Sequence, residues 1–401
     1  MPVRASDAPA AERTGLTVRA MQRLRRFRFD RPQKFAALLL LLLLTQCVWQ
    51  IAHSPLTDMD YQYARCGREM WERPSPIAGY FTTCGNIHDG VLAYRMAGLP
   101  LTVERLVAGQ SSDTSTWEMR HELSYVRLLL RLPFTVAALL LGGALWWVTR
   151  RLYGNMGGFV ALSLYCVSPA IVAAGSRPNA EITTALGIFA AIYTAIGVAH
   201  AMQGPRRKWR PRIVLLAAGL GLVAASHSAA LLLAVPLAAL FMIYLAERNR
   251  TAVPMVIVAG TVGAFLALFA CYGFRPDALS YFFRSGAGRL GWDTTPARMH
   301  LFSLADAGVA IALVAAALLY VATRRSRYFG NTTPLLIALC LLPLITTGVP
   351  GQPWLWALPF LLTFVGGVFA DALETKHGPM FRWAVVAMVA LQAVLTSAFS
   401  L

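Results

Sequence analysis

The chain has 401 residues, 57% of them hydrophobic and only 14% charged, with a formal net charge of +17. So much apolar side chain excludes a single water-soluble globular domain, and the bilayer is the expected solvent for most of it. Nucleic acid, the usual partner of so basic a chain, is excluded because membrane topology accounts for where the positive charge falls.

In chain order, residues 1–34 form a basic N-terminal segment ending in RLRRFRFDRPQK. Its expected role is to orient the chain; the alternatives are a polybasic lipid-binding stretch or a transit element. Apolar runs suited to a ~30 Å hydrocarbon core then recur to the end of the chain. They predict eleven helical spans at 35–52, 128–148, 155–174, 180–201, 212–225, 228–246, 252–272, 305–323, 334–348, 354–370 and 383–399. The first span is read as uncleaved, because Gln46 in LLTQC is too large for a lipoprotein cleavage site.

With the N-terminus in the cytoplasm, 23 Lys and Arg and 6 acids fall inside, against 13 and 13 outside. The whole excess is therefore cytoplasmic, as the positive-inside rule requires, and the C-terminus lies outside. Every inner connection is short and basic. Two outer loops, 53–127 and 273–304, are too long to be simple connectors, and ordered loops of that length usually carry function.

Three stretches in those loops have helical spacing and predict short amphipathic helices at the membrane interface: DYQYARCGREMWE, GVLAYRMAGLPL with Tyr94 and Arg95 as anchors, and PDALSYFFRSGAGRL. Trp49, Trp71, Trp292, Trp354 and Trp356 read as aromatic-belt anchors, with a lipid groove as a second role for Trp354. Of six cysteines, four (Cys47, Cys166, Cys271, Cys340) lie within or at the ends of spans as small hydrophobes. Cys66 and Cys84 share the first outer loop, where an oxidising compartment would let them close a disulfide loop of about 20 residues. No internal repeat or inverted symmetry is visible, which disfavours a transporter.

Polar and charged residues gather at the outer mouths of the spans: Asp58, Asp60, His88, Asp89, Arg177, Asn179, Glu181, His227 and Arg289. Ionisable groups at membrane depth are costly and tend to serve function. Each also has a plainer reading. Asp58 and Asp60 suit a helix N-cap, Glu181 suits the positive end of the helix it opens, and Arg177 and Arg289 suit interfacial snorkelling. His88 and Asp89 suit a polar loop, and His227 a structural turn.

The order of motifs resembles the GT-C superfamily of membrane glycosyltransferases, in its protein O-mannosyltransferase and lipid A aminoarabinose transferase branch. MDYQYARCGREMW stands where that family has an acidic pair before AYYALIAREML, with Met59 on the first acid and Asp60 on the second. HDGVLAYRMAGL, from His88 to Leu99, is similar to DKPPLLYWLIAL. RRLYGNMGGFVALSLYCVSP, Glu181 at the fourth span, Ser226-His227 ending the fifth, PDALSYFF with Arg289, and QPWLWALPF follow in the family's order. The likeness spans about residues 35 to 370, and it departs where Met59, Asp89, Gly90, Val91 and His227 replace an Asp, a Lys, two Pro and a Lys.

The resemblance implies an all-α polytopic bundle of about eleven spans over 35–401, GT-C-like, with interfacial amphipathic helices in the two outer loops. It implies a sugar transferred from a polyprenyl-phosphate-linked donor to a glycan, lipid or protein acceptor at the outer face of a bacterial inner membrane. Asp58 or Asp60 would be the catalytic carboxylate. His88, Asp89 and Glu181 would bind acceptor or metal, and Arg289, Arg177 and His227 the donor phosphate. No cofactor is required outright, and a divalent Mg or Mn is compatible with the leaving phosphate. The competing reading is a non-catalytic homologue that binds the lipid carrier as an accessory subunit.

Overall fold

The structure is a computed structural model that describes residues 31–72, 90–108, 124–203, 209–276, 289–295, 298–299, 303–323, 328–347, 354–375 and 377–400. Thirteen helices run through these residues: α1 Arg31–His53, α2 Asp58–Glu72, α3 Leu92–Ala108, α4 Ser124–Cys166, α5 Pro169–Gly175, α6 Glu181–Met202, α7 Arg210–Ser226, α8 Ser228–Leu245, α9 Val253–Cys271, α10 Ala307–Thr323, α11 Tyr328–Leu341, α12 Trp354–Leu373 and α13 Gly378–Ser400. Six helical stretches among the described residues are long and apolar enough to cross a membrane, and Ala229–Leu245, Ala307–Ala322 and Thr332–Leu341 are shorter apolar helices. The chain is thus a multi-pass, almost wholly helical membrane protein, and most predicted spans coincide with one of these helices.

Two corrections concern extended chain. Arg289–Trp292 is a strand, β1, which pairs antiparallel with β2, Leu344–Thr347, in the register Arg289 to Thr347. The expected helix over 276–290 therefore does not include Arg289 and Leu290, and the span expected over 334–348 ends at Leu341. Residues 277–288 lie outside the described residues.

α4 is two antiparallel limbs rather than one rod. Gly154 has φ 82 and ψ −176, a backbone conformation suited to glycine, and the chain reverses there. Gly158 then packs against Arg150 and Trp146, and the Tyr165 hydroxyl donates to the Ala138 carbonyl at 2.7 Å. At the opposite end of the limbs the Thr135 hydroxyl donates to the Gly175 carbonyl. This hairpin supplies the second and third predicted spans.

α12 is the axis of the bundle. It is apolar on all sides, as a helix must be when no face meets water, and nearly every residue from Trp354 to Ala370 is buried. It packs against α4, α6, α10 and α11. Trp354 and Trp356 are 2% and 0% exposed, so they are core side chains and not belt anchors. Trp49, Trp71 and Trp292 are exposed.

A candidate site at the elbow between α1 and α2

α1 ends at His53 and α2 begins at Asp58, so the chain turns sharply over four residues. Thr57 caps α2: the Asp60 N–H donates to the Thr57 hydroxyl oxygen at 3.3 Å, and the Thr57 N–H donates back to Asp60 Oδ2 at 2.8 Å. This is the reciprocal capping box, with an aspartate in place of the usual Glu or Gln. Asp60 Oδ2 also accepts from the Thr57 hydroxyl at 2.9 Å and from Arg131 at 2.7 Å.

Arg131, on α4, is completely buried and Asp60 is 2% exposed. Besides Asp60, its guanidinium donates to the Ser54 hydroxyl at 2.6 Å, the Ser54 carbonyl at 3.2 Å and the Pro55 carbonyl at 2.8 Å. Arg127, one helical turn earlier, donates to the Ala52 carbonyl. The two arginines thus satisfy carbonyls that the end of α1 leaves without intrahelical partners. Asp58, two residues from Asp60, is exposed and makes no hydrogen bond or ion pair among the described residues. The two aspartates differ in kind: one is bound into the elbow, and the other stands open.

Of the other sequence-predicted residues, Arg177, Asn179 and Glu181 sit where α5 gives way to α6. The Ser176 hydroxyl donates to Gln50 Oε1 at 2.6 Å, which sets the α5–α6 connection beside the end of α1. In that connection Arg177 is exposed, and Asn179 accepts from the Ile182 N–H to cap α6. Glu181, in the first turn of α6, is 6% exposed. α2 packs on α3 through stacked Tyr63 and Tyr94, whose rings lie 4.3 Å apart. The Gly90 N–H at the start of that segment donates to the Ser226 carbonyl at 3.0 Å.

His227 follows directly, in the turn between α7 and α8, and packs edge-on against Trp356 at 5.1 Å. Burial pushes its imidazole pKa down to about 4, so at neutral pH it offers hydrogen bonding and no positive charge. Tyr94 and Arg95 are not membrane anchors: Tyr94 is buried, and the Arg95 guanidinium donates to the Cys271 and Met70 carbonyls while lying 4.8 Å from the Trp71 ring. Arg289 occupies the first position of β1. His88, Asp89 and Cys84 lie outside the described residues. The pairing expected for Cys66, which is buried on α2, therefore rests on a partner that is not placed.

Sequence reasoning missed Arg131. In sequence it reads as one more outer charge at the head of a span, although an arginine inside an apolar run, four residues after another, already signals a buried partner. Glu72, at the end of α2, was missed as well. It accepts from Arg68 at 3.0 Å, from Arg105 of α3 at 2.9 Å and from Thr102 at 3.2 Å, and it ties the two helices by charge.

The model of the dolichyl-phosphate-mannose-protein mannosyltransferase family matches residues 124–272, which run from α4 to the end of α9. Among curated proteins none matches the sequence significantly. The fold is similar to that of ArnT from Cupriavidus metallidurans bound to undecaprenyl phosphate, at 14% identity and a TM-score of 0.59, over 92% of this chain and 76% of that one. The apo state of the same protein gives 12% identity and a TM-score of 0.59 over the same shares. The Archaeoglobus fulgidus oligosaccharyltransferase, tethered with an acceptor peptide, matches at 12% identity and a TM-score of 0.53, over 93% of this chain and 55% of that one. The architecture implied by the sequence motifs, the GT-C fold, is the one the chain adopts.

Proposed function

We propose that this protein with a GT-C fold is a glycosyltransferase that moves a sugar from a polyprenyl-phosphate-linked donor to an acceptor hydroxyl at the outer face of a bacterial inner membrane. Supporting this are the match to a mannosyltransferase family over α4 to α9 and the likeness in fold to ArnT, whose structure holds undecaprenyl phosphate. The cytoplasmic excess of Lys and Arg favours an elbow that faces outward.

The observation that carries the reading is the division between the two aspartates. Transfer requires the acceptor oxygen to bond the anomeric carbon while the bond from that carbon to the phosphate oxygen breaks. The acceptor proton must go to a base, and positioned general bases contribute about 10²–10⁴ in rate. Asp58, open and uncommitted at the mouth, is assigned that proton. Asp60, held by Arg131 and Thr57, positions the helix turn that carries it. The leaving polyprenyl phosphate keeps the bonding electrons, and Arg177 and Arg289 are assigned to it because guanidinium binds phosphate through paired charge-assisted hydrogen bonds.

Mg or Mn would serve the same leaving group. Among the described residues no three His, Cys, Asp or Glu side chains form a metal cluster, and no step here depends on one. The test is transfer of labelled sugar from polyprenyl-phosphate-linked donors to membrane acceptors by Asp58→Asn and Asp60→Asn variants. Full transfer by both variants would remove the catalytic reading. A second reading, a lipid-carrier-binding subunit without turnover, is favoured by Met59 at the family's leading acid and by the commitment of Asp60 to Arg131. Wild-type protein that binds polyprenyl phosphate but transfers nothing would establish it.

A further inference from the structure

Arg131 is the most heavily committed side chain at the elbow. Its two terminal nitrogens meet four acceptors on three consecutive features of the chain: the carbonyls left open past the end of α1, the Ser54 hydroxyl, and the carboxylate that closes the cap of α2. A helix C-terminus carries partial negative charge, so the guanidinium sits between that end and the Asp60 side chain, 2.7 Å away, and is attracted by both. Its Nε finds no acceptor among the described residues although it is buried. A buried donor without a partner is costly. The site therefore holds its arginine for the geometry the terminal nitrogens impose.

We infer that Arg131 is a positioning residue for transfer: it fixes the angle between α1 and α2 and so presents Asp58 to the acceptor. The inference rests on the proposed reading of Asp58 as the base. Asp60 cannot shift without breaking the capping box and the ion pair together, because one oxygen, Oδ2, serves both. Asp58 lies two residues away in the same turn and inherits that constraint. The carboxylate is held from α4, the helix whose second limb leads through α5 to Arg177 and Glu181. The base is thereby referred to the same hairpin from which the chain runs on to Arg177, assigned to the phosphate, and to Glu181, assigned to acceptor or metal.

The test compares wild type, Arg131→Lys, Asp58→Asn and the double variant Asp60→Leu/Arg131→Leu as full-length proteins in lipid nanodiscs. The double variant removes both buried charges at once, so neither is left uncompensated and the bundle folds. The donor is the labelled polyprenyl-phosphate-sugar fraction extracted from membranes, and the acceptor is membranes from cells lacking the protein.

The expected result is a kcat lowered about a hundredfold in the double variant, the scale of a misplaced reacting group, with KM for the donor unchanged. Arg131→Lys recovers part of it, and amide exchange over residues 54–61 rises in the double variant alone. Wild-type kcat in the double variant, with Asp58→Asn inactive, overturns the positioning role and leaves the transferase reading standing. Full activity of Asp58→Asn overturns the base assignment and this inference with it. Absence of transfer by wild type overturns the transferase reading itself.

Discussion

Gly67 of α2 and Gly98 of α3 meet backbone to backbone: a Cβ on Gly67 would come within 2.7 Å of the Gly98 nitrogen and closer still to the Tyr94 carbonyl oxygen. Side chains cannot yield there because the obstacle is main chain. Gly67→Ala and Gly98→Ala should each force the helices apart and destabilise the protein by about 1–3 kcal/mol or more. The Tyr63–Tyr94 stack would open with them. Thermal unfolding in detergent, read by Tyr and Trp fluorescence, measures both effects, and an unchanged Tm would refute the close crossing.

The charge cluster at the far end of the same helix pair makes a separate prediction. Glu72 is the common acceptor of Arg68 and Arg105, and all three side chains are largely buried. Glu72→Ala leaves two guanidinium groups without that counter-charge, and such a loss costs roughly 3–5 kcal/mol. Glu72→Gln keeps the shape, loses only the charge and should fall between wild type and Ala. The ordering of the three unfolding midpoints is the test.

Gln392 lies on α13, a helix with most of its surface turned outward, yet it is fully buried. Its Oε1 accepts from the Val309 N–H at 3.0 Å, and its amide nitrogen donates to the Ala305 carbonyl at 2.7 Å, so it ties α13 to the first turn of α10. Thr396 extends the tie to the Val167 carbonyl, where α4 gives way to α5. Gln392→Leu should cost about 1–3 kcal/mol because the two backbone groups lose their partner in an apolar setting. Proteolysis near the start of α10 should quicken in parallel.

His227 makes stability depend on pH in one direction. Its folded pKa of about 4 lies below the ordinary histidine value of 6.5, so between those values the unfolded chain binds a proton that the folded one refuses. The contribution is complete above about pH 6.5 and is lost as pH falls toward 4, by on the order of 3 kcal/mol at the end of that range. His227→Gln has no proton to take up and should flatten the acid side of the Tm curve. A curve of unchanged slope would show that the acid loss comes from other groups.

Much of the fold was legible because apolar runs and helix length are set by the same bilayer thickness. A helix at the start of the first long loop was legible too, from the spacing of Tyr61, Ala64, Arg65 and Arg68, but the face that packs, with Tyr63, Ala64, Gly67 and Met70, emerges only from the structure. What sequence alone did not convey was pairing across distance. RLGW and LITT look like the ends of apolar stretches, and only their meeting more than 50 residues apart makes them strands. Trp354 and Trp356 have the composition of belt residues, and it takes the surrounding helices to show that they are core.

At the elbow the local part of the site was readable and the remote part was not. Thr57 and Asp60 have the spacing of a capping box, and Asp60 stands where the family motif places its second acid, with Asp58 one residue before the position of the first. Which of them is free depends on Arg131, which lies 71 positions further along the chain. No periodicity connects the two residues.

The reversal at Gly154 has a bearing on how the chain is made. Two limbs joined by a single glycine leave no slack between them, so neither can wait on one side of the membrane while the other crosses. They are expected to insert as a pair, with Arg150 and Arg151 braced on Trp146 and Trp147 at the bend. The anchor for the aspartate elbow is therefore set within one hairpin of neighbouring sequence rather than by the helices that follow it.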